Sequence, residues 1–580
     1  MRPTRGIGVR AAFSPNRMVA PSSSPVLALL PWALPVLLLA VAIAAGLAGA
    51  TGSYAAAYPV DPRTGLLFAP ALGVTVWACA ELIGHRASGA TGSDPYAYAQ
   101  MAVDLVRTGT VLHRFELLPL VLHPSLSLTW DPLVHIGYHL PVNEPGDAPT
   151  VWPVGAAFPL ALGYLVGGDE GLYWVNPLAT FGAAAATGLL AWMLIDSKPR
   201  PVRLAVAILA GGIILTSNEQ VLWARVPMAD AQAEVFTTLA IVAALWAGRQ
   251  PSVLPGRSRA TIAALLLCGA MLGAAYLVRH TQVLMAPALT LLLVDQARRG
   301  SFRRLGLVGL AALIVALPDF WYRQQSLGGW LRPESEELRL FSSAALLITP
   351  ERIWSALTHG DEFGWLVPLI AIGAWRLARD HRRALVGLLT WLAVLVAFHL
   401  PYPALRLRDL IPEFPVLAVL AALGVTWVIE SVHRAGKRPL SLTLPREGGG
   451  NIADPASRGV KSALSSTMWA MLLFLSIDAF ALRFWSEAHR PFDPPEHVFG
   501  YLTAEHRAAF DTIASVVPRG GIIAADFNDG ALDLLSGRDT VRAGLWTPWE
   551  RHLFFCRAES GGRPIYVLDD SQAIEGMLGG

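Results

Sequence analysis

Apolar runs alternate with polar, arginine-rich gaps along the chain. The runs fall at 26–48, 66–86, 172–194, 203–217, 228–247, 260–278, 282–294, 305–321, 363–378, 384–400, 411–429 and 463–483. A helix needs about 20 apolar residues to cross a bilayer core, and most of these runs approach that length. The pattern predicts an all-α polytopic membrane bundle of about 11–12 membrane segments. After residue 484 the pattern changes. GGIIAADF and RPIYVLDD read as buried strands, with helical stretches expected at 502–516, 528–536 and 547–558. That alternation predicts a small α/β domain over 484–580, able to fold as a unit of its own.

Within the first long polar gap, 88–171, the stretch SGATGSDPYAYAQMAVDLVRTG (Ser88–Gly109) reads as a short loop, an acidic residue and an amphipathic helix closed by glycine. Ser93 or Asp94 suits the N-cap of that helix, and Pro95 its first turn. Further on, Trp152-Pro153 and the apolar run to Val166 predict an interfacial helix with its aromatic residue at headgroup depth.

Composition then settles the class. The 580 residues are 54% hydrophobic and only 15% charged, too few charges for a soluble surface of that size. Net charge is +2, so nothing points to nucleic acid, but the arginines are unevenly placed. Asp196–Arg203, Arg249–Arg259, Asp295–Arg304, Arg376–Arg383 and Ser431–Lys461 are basic and fall on one side by alternation. The positive-inside rule makes that side cytoplasmic and leaves the 88–171 loop, the loops 323–362 and 401–410, and 484–580 outside. The expected location is the cytoplasmic (inner) membrane. The 431–461 stretch reads as a flexible cytoplasmic linker. Residues 1–25 form a tail with four arginines, and the long run after it, 26–48, reads as a retained membrane segment within a 26–483 membrane domain. Strict alternation would put that basic tail outside, so either 26–48, with Pro31 and Pro35, or 66–86 does not cross fully. Three cysteines imply no disulfide framework.

The polar groups that remain gather at the outer ends of spans. They are Asp94, Arg225 and Asp230 in WARVPMAD, Arg279 and His280 in LVRHTQ, and Arg406 and Arg408 in PALRLRDLIPEFP. Carboxylates facing cations suit a reaction in which one group loses a proton while an anionic leaving group departs. Each residue has an ordinary alternative. Asp94 and Asp230 can cap helices, interfacial arginines snorkel to lipid phosphates, and Arg406 and Arg408 can pair with Asp409 or Glu413. Asp131, His135 and His139 in DPLVHIGYH have a spacing that would share one helix face, making them weak metal candidates.

The order of these pieces resembles the GT-C glycosyltransferases that use polyprenyl-phosphate sugars, the class of the protein O-mannosyltransferases and the lipid A aminoarabinose transferases. The matching pieces, over about 88–430, are GSDPYAYAQMAVDLVRTG, TVWPVGAAFPLALGYLVGG, GLYWVNPLATFGAAAATGLLAWML, RVPMAD and RLRDLIPEFP. The resemblance implies a GT-C fold, with Asp94 as the catalytic acidic residue and Asp230 as a second one. It places Arg406 or Arg408 near the lipid phosphate. Asp94 is followed by Pro95 where a second acid would support a metal, which speaks against a metal-dependent mechanism.

The expected function is transfer of a hexosyl or pentosyl group, with inversion, from a polyprenyl-phosphate carrier to a hydroxyl of a protein, lipid or cell-envelope glycan. Asp94 would be the general base. Asp230 would position substrate, and Arg225, Arg279, His280, Arg406, Arg408 and Trp152 would bind it, with no cofactor. The rival readings are a transporter or flippase of a lipid-linked substrate and a non-catalytic divergent member. No internal repeat favours transport.

Overall fold

A computed structural model describes residues 72–121, 128–249, 257–294, 301–360, 362–436, 498–526 and 530–570. The tail 1–25, the segments expected at 26–48 and 463–483, and most of the 431–461 linker lie outside them. Among the described residues, six helices are long and apolar enough to span a membrane: Val175–Leu194, Asp230–Arg249, Arg259–Val278, Ser301–Ser326, Arg382–His399 and Leu407–Ser431. A seventh span would be the pair Arg200–Leu215 and Asn218–Ala224, bent by 64°. Leu72–Gly84 and His280–Leu293 are shorter apolar helices. The chain is thus a helical, multi-pass membrane protein with small sheets near its C-terminus.

The irregularities follow from local chemistry. In the bent pair, the Ser217 hydroxyl accepts the Gln220 amide and starts a new helix where the previous one stops. The run expected at 282–294 is a 3-10 turn, His280–Met285, followed by the helix Ala286–Leu293. Pro287, which lacks an amide hydrogen, sits in the first turn of that helix. The Asp230–Arg249 and Leu407–Ser431 spans are the most enclosed, each with 72% of its window buried, against 28% for Ser301–Ser326. The bundle therefore organises around two helices whose first turns carry Asp230 and Arg408.

In the outer loop, the helix Ser93–Thr108 is buried along most of its length and ends at Gly109 in the left-handed conformation. The apolar run after Trp152 forms a 3-10 turn, Val154–Ala156, and the helix Ala157–Leu172, which leaves Leu162, Leu165 and Val166 exposed. Gly155 packs directly on backbone. A Cβ there would come 2.2 Å from the Leu277 carbonyl carbon, so only glycine brings Trp152 and Pro153 up to the end of the Arg259–Val278 helix.

The Asp131–His139 stretch corrects the sequence reading. It forms successive turns with Gly137 at φ +95°, and no helix face joins its three candidate ligands. Pro132 and the glycine interrupt helical hydrogen bonding where spacing alone suggested a helix.

The C-terminal region contains the two strands expected, Ile522–Ala524 and Ile565–Val567, and a third, Asp539–Val541. They form a parallel sheet with Ile522–Ala524 in the centre, flanked by the helices Ala504–Val516, Ala531–Ser536 and Pro548–Ser560. One apolar cluster, with Phe510, Val517, Ile523, Ala531 and Leu532, is its own, and a second is shared. Ile522, Ala524, Val541, Trp546 and Phe554 share one apolar cluster with Leu117, Leu118, Val121, Leu128 and Leu133 of the outer loop. The Arg542 Nη2 donates to the carbonyls of Asp131 and Val134, the Trp546 indole to that of Thr129, and Arg557 to that of Leu120. Strand Tyr501–Leu502 pairs antiparallel with Gly89–Ala90, immediately before the Ser93–Thr108 helix. The unit thus packs on the loop beside Asp94.

Candidate functional site

A cavity of about 720 Å³ lies where the outer-loop helix meets the ends of the spans. Of the residues singled out from sequence, Asp94, Trp152, Asp230, Arg279, His280, Arg406 and Arg408 line it. Arg225 does not. Its Nη2 contacts Glu81 Oε2 at 2.8 Å and its carbonyl accepts the Ala87 amide, so it ties the Leu72–Gly84 helix to the bundle.

The helix Ser93–Thr108 has Gly92 at its N-cap and no side-chain cap. Asp94 is therefore free of the capping role its sequence suggested. Its Oδ1 accepts the Ser93 hydroxyl at 2.8 Å, and its Oδ2 accepts Arg408 Nη2 at 2.8 Å. The two residues are 314 positions apart. Arg408 is buried, with its guanidinium carbon 4.3 Å above the Trp223 ring, and its Nε and Nη1 make no protein hydrogen bond among the described residues. A stacked guanidinium with spare donors is suited to a planar or tetrahedral oxyanion.

Arg279 makes the second cationic centre. It pairs with Asp230 through Nη1 and reaches Asp409 Oδ1 with Nη2 at 3.2 Å. Burial works against its charge, but the carboxylates of Asp230 and Asp409 outweigh that and raise its pKa. Asp409 also accepts the Arg406 backbone amide at 2.9 Å, while the Arg406 side chain is exposed at the rim. The expected partner of the neighbouring arginines thus serves Arg279 instead.

Several cavity residues were not singled out from sequence. Tyr98 stands one turn after Asp94 on the same helix, and that i, i+4 spacing was a readable signal. Burial, with Asp94 and Asp230 nearby, holds its phenol well above the ordinary tyrosine range, so it stays a hydrogen-bond donor. Glu337 is raised by burial, with Asp94 and Asp409 adding to the effect. His280 faces Asp319 at 3.5 Å and Glu334 at 3.3 Å, a trio with metal-like spacing. Arg323 already fills that trio. Its Nε lies 2.9 Å from Asp319 and 2.8 Å from Glu334, and its Nη2 lies 2.7 Å from His280 Nε2. A guanidinium there removes the need for a metal cation.

The weak metal candidates are scattered. Asp131 is exposed, His139 contacts the Glu334 carbonyl, and His135 is buried against Tyr96 and His113.

The cavity is also lined by Val283, Leu284, Leu338, Phe341 and Phe398. It therefore offers both charged groups and apolar surface. That mixture fits a substrate with an anionic head and a hydrocarbon chain.

No protein-family model and no curated protein matches this chain. It is similar, over 87% of its length, to a crystal structure of ArnT from Cupriavidus metallidurans bound to undecaprenyl phosphate. Identity is 14%, the TM-score 0.49, and 90% of that chain is covered. It is also similar over 83% of its length to the Archaeoglobus fulgidus oligosaccharyltransferase tethered with an acceptor peptide, at 13% identity and TM-score 0.47. Of that longer chain it spans 64%. Both proteins are GT-C glycosyltransferases, the class the sequence resembles. At this identity and these TM-scores, the activity has to be argued from the chain's own residues.

Proposed function

We propose that the chain is a membrane glycosyltransferase taking its sugar from a polyprenyl-phosphate carrier. The observation that supports this is the pairing of Asp94 with a buried, incompletely satisfied Arg408 in a cavity lined by both charged and apolar residues. In this reading the acceptor O–H approaches Asp94, and its oxygen attacks the anomeric carbon from the face opposite the phosphate. The C–O bond to phosphate breaks, its electron pair stays on the phosphate, and the proton passes to Asp94. The anomeric configuration inverts. Arg408, with Arg406 at the rim, would take the departing phosphate, where the low dielectric strengthens each contact. Tyr98 would donate to the sugar or acceptor, and Asp230 would hold Arg279 in place.

The test is direct. Purified protein in nanodiscs, given undecaprenyl-phosphate carrying labelled hexoses, pentoses or aminopentoses together with a cell-envelope extract as the source of acceptor hydroxyls, is expected to release free undecaprenyl phosphate with at least one of them. Arg406→Gln, at an exposed position, should raise the KM for that donor several-fold with little loss of stability. No binding of undecaprenyl phosphate, together with no release from any donor, would end this reading.

The proposed site faces outward across the cytoplasmic membrane. With Cys79, Cys268 and Cys556 replaced by Ser, single cysteines at Ser343 or Ser560 should react with a membrane-impermeant thiol reagent in intact cells. One at Ser197 should not. All three serines are exposed, so accessibility is not in question. The opposite labelling pattern would turn the cavity toward the cytoplasm.

A further inference from the structure

Behind Asp94, where the outer loop meets the C-terminal sheet unit, three side chains from three distant segments converge. His113 lies on strand His113–Arg114, His135 in the turn segment after Trp130, and Asp533 on helix Ala531–Ser536. Asp533 Oδ2 is 3.9 Å from His113 Nε2 and 3.7 Å from His135 Nε2, and the three ligand atoms lie within 4.8 Å of one another. The histidines are 6% and 2% exposed. Such burial is costly for polar groups without full partners. Yet His113 Nε2 makes no hydrogen bond, and the contact of His135 Nε2 with Thr540 Oγ1 is long at 3.4 Å.

The opposite nitrogens are held firmly. His113 Nδ1 lies 3.0 Å from Asp104 Oδ2, whose other oxygen accepts Gln100 Nε2 at 2.9 Å. His135 Nδ1 lies 2.6 Å from the Tyr96 hydroxyl. An outer oxygen on each Nδ1 is the arrangement that orients a metal-ligating imidazole with its free Nε2 toward the ion. The site is also walled. Phe115 packs edge-on against both imidazoles, at 4.8 and 4.9 Å between ring centres. On the other side Gly530, at φ +102°, lets the Tyr96 ring approach, since a Cβ there would come 2.0 Å from the ring.

We propose that His113, His135 and Asp533 bind one Zn²⁺ that fastens the C-terminal unit to the outer loop. Two imidazoles and one carboxylate suit zinc over calcium or magnesium. Metal–ligand bonds of about 2.0–2.2 Å in a tetrahedron put ligand atoms roughly 3.3–3.6 Å apart. The 3.9 and 3.7 Å separations to Asp533 need to close by only a few tenths of an ångström, and the two imidazole nitrogens, within 4.8 Å of each other, by up to about 1.3 Å, which rotation of the side chains supplies. Water completes the fourth position. The ion would brace Tyr96, two residues along the helix from Asp94, and so help to position the carboxylate. This assignment stands whether or not the cavity transfers sugar.

Full-length protein, stripped with a chelator and re-exposed to Zn²⁺ before gel filtration, should retain about one zinc per chain by mass spectrometry. Cobalt substitution should give the intense visible bands of a tetrahedral nitrogen–oxygen site. His113→Ala, His135→Ala and Asp533→Asn should each lose the metal, while His552→Ala, at a histidine outside the cluster, should keep it. Chelation should lower the melting temperature and open the loop–domain seam to protease. If the alanine variants do not fold, the wild-type cobalt spectrum and X-ray absorption decide, two imidazoles in the coordination sphere being required. Failure of the stripped protein to take up zinc, or full zinc in folded His113→Ala and His135→Ala, overturns the site.

Discussion

Asp94→Asn is expected to cost about 10²–10⁴-fold in sugar transfer while the protein remains folded. The substitution keeps one oxygen to accept from Arg408, and the amide nitrogen that replaces the other can donate to the Ser93 hydroxyl, so both contacts survive in neutral form with the Ser93 one reversed. What is lost is the ability to take a proton. Because the helix N-cap is Gly92, helix capping offers no competing explanation for a loss of rate. The competing role is a purely structural ion pair with Arg408. Asp94→Ala separates the two, since it strands the buried Arg408 charge and should lower thermal stability where Asn does not. The pair also bears on chemistry. A departing phosphate that takes a share of the Arg408 guanidinium would loosen its contact with Asp94 as the proton arrives. Near-normal transfer by Asp94→Asn with lipid-linked donor would demote the residue to structure and move the search for a base to Asp230 or Glu337.

The second large effect is on stability. Arg279→Gln should destabilise the protein by about 3–5 kcal/mol, because Asp230 and Asp409 would be left facing each other without their shared cation in an enclosed site. Arg279→Lys should recover only part, since an ammonium is a point charge and the guanidinium serves two carboxylates at once. Adding Asp230→Asn to Arg279→Gln should restore some of the lost melting temperature by removing one unpaired charge. An Arg279→Gln protein that melts like wild type would show that the cation is dispensable for the fold, and would reassign it to substrate.

The helices themselves were legible because their signal is local. Runs near 20 apolar residues leave few options in a bilayer, and the nine runs that fall wholly within the described residues are helical. That Asp94, Asp230, Arg279, His280, Arg406 and Arg408 gather was legible too, from their places at the ends of apolar runs. These six, far apart in the chain, line one cavity. Spacing misled where proline and glycine intervene, as in Asp131–His139.

The sequence by itself thus determined a multi-span helical membrane protein and the end of the bundle at which its charges meet. Which charge meets which was decided by tertiary structure. Arg408 bypasses its neighbour Asp409 for Asp94, and Asp409 turns to Arg279, because the 3-10 turn Leu407–Glu413 sends successive side chains about 120° apart and the neighbours are set by packing. The same holds for the histidines. His113 and His135 meet Asp533 only because the C-terminal sheet buries its apolar face on the outer loop, a contact between surfaces more than 400 positions apart along the chain that no local pattern encodes.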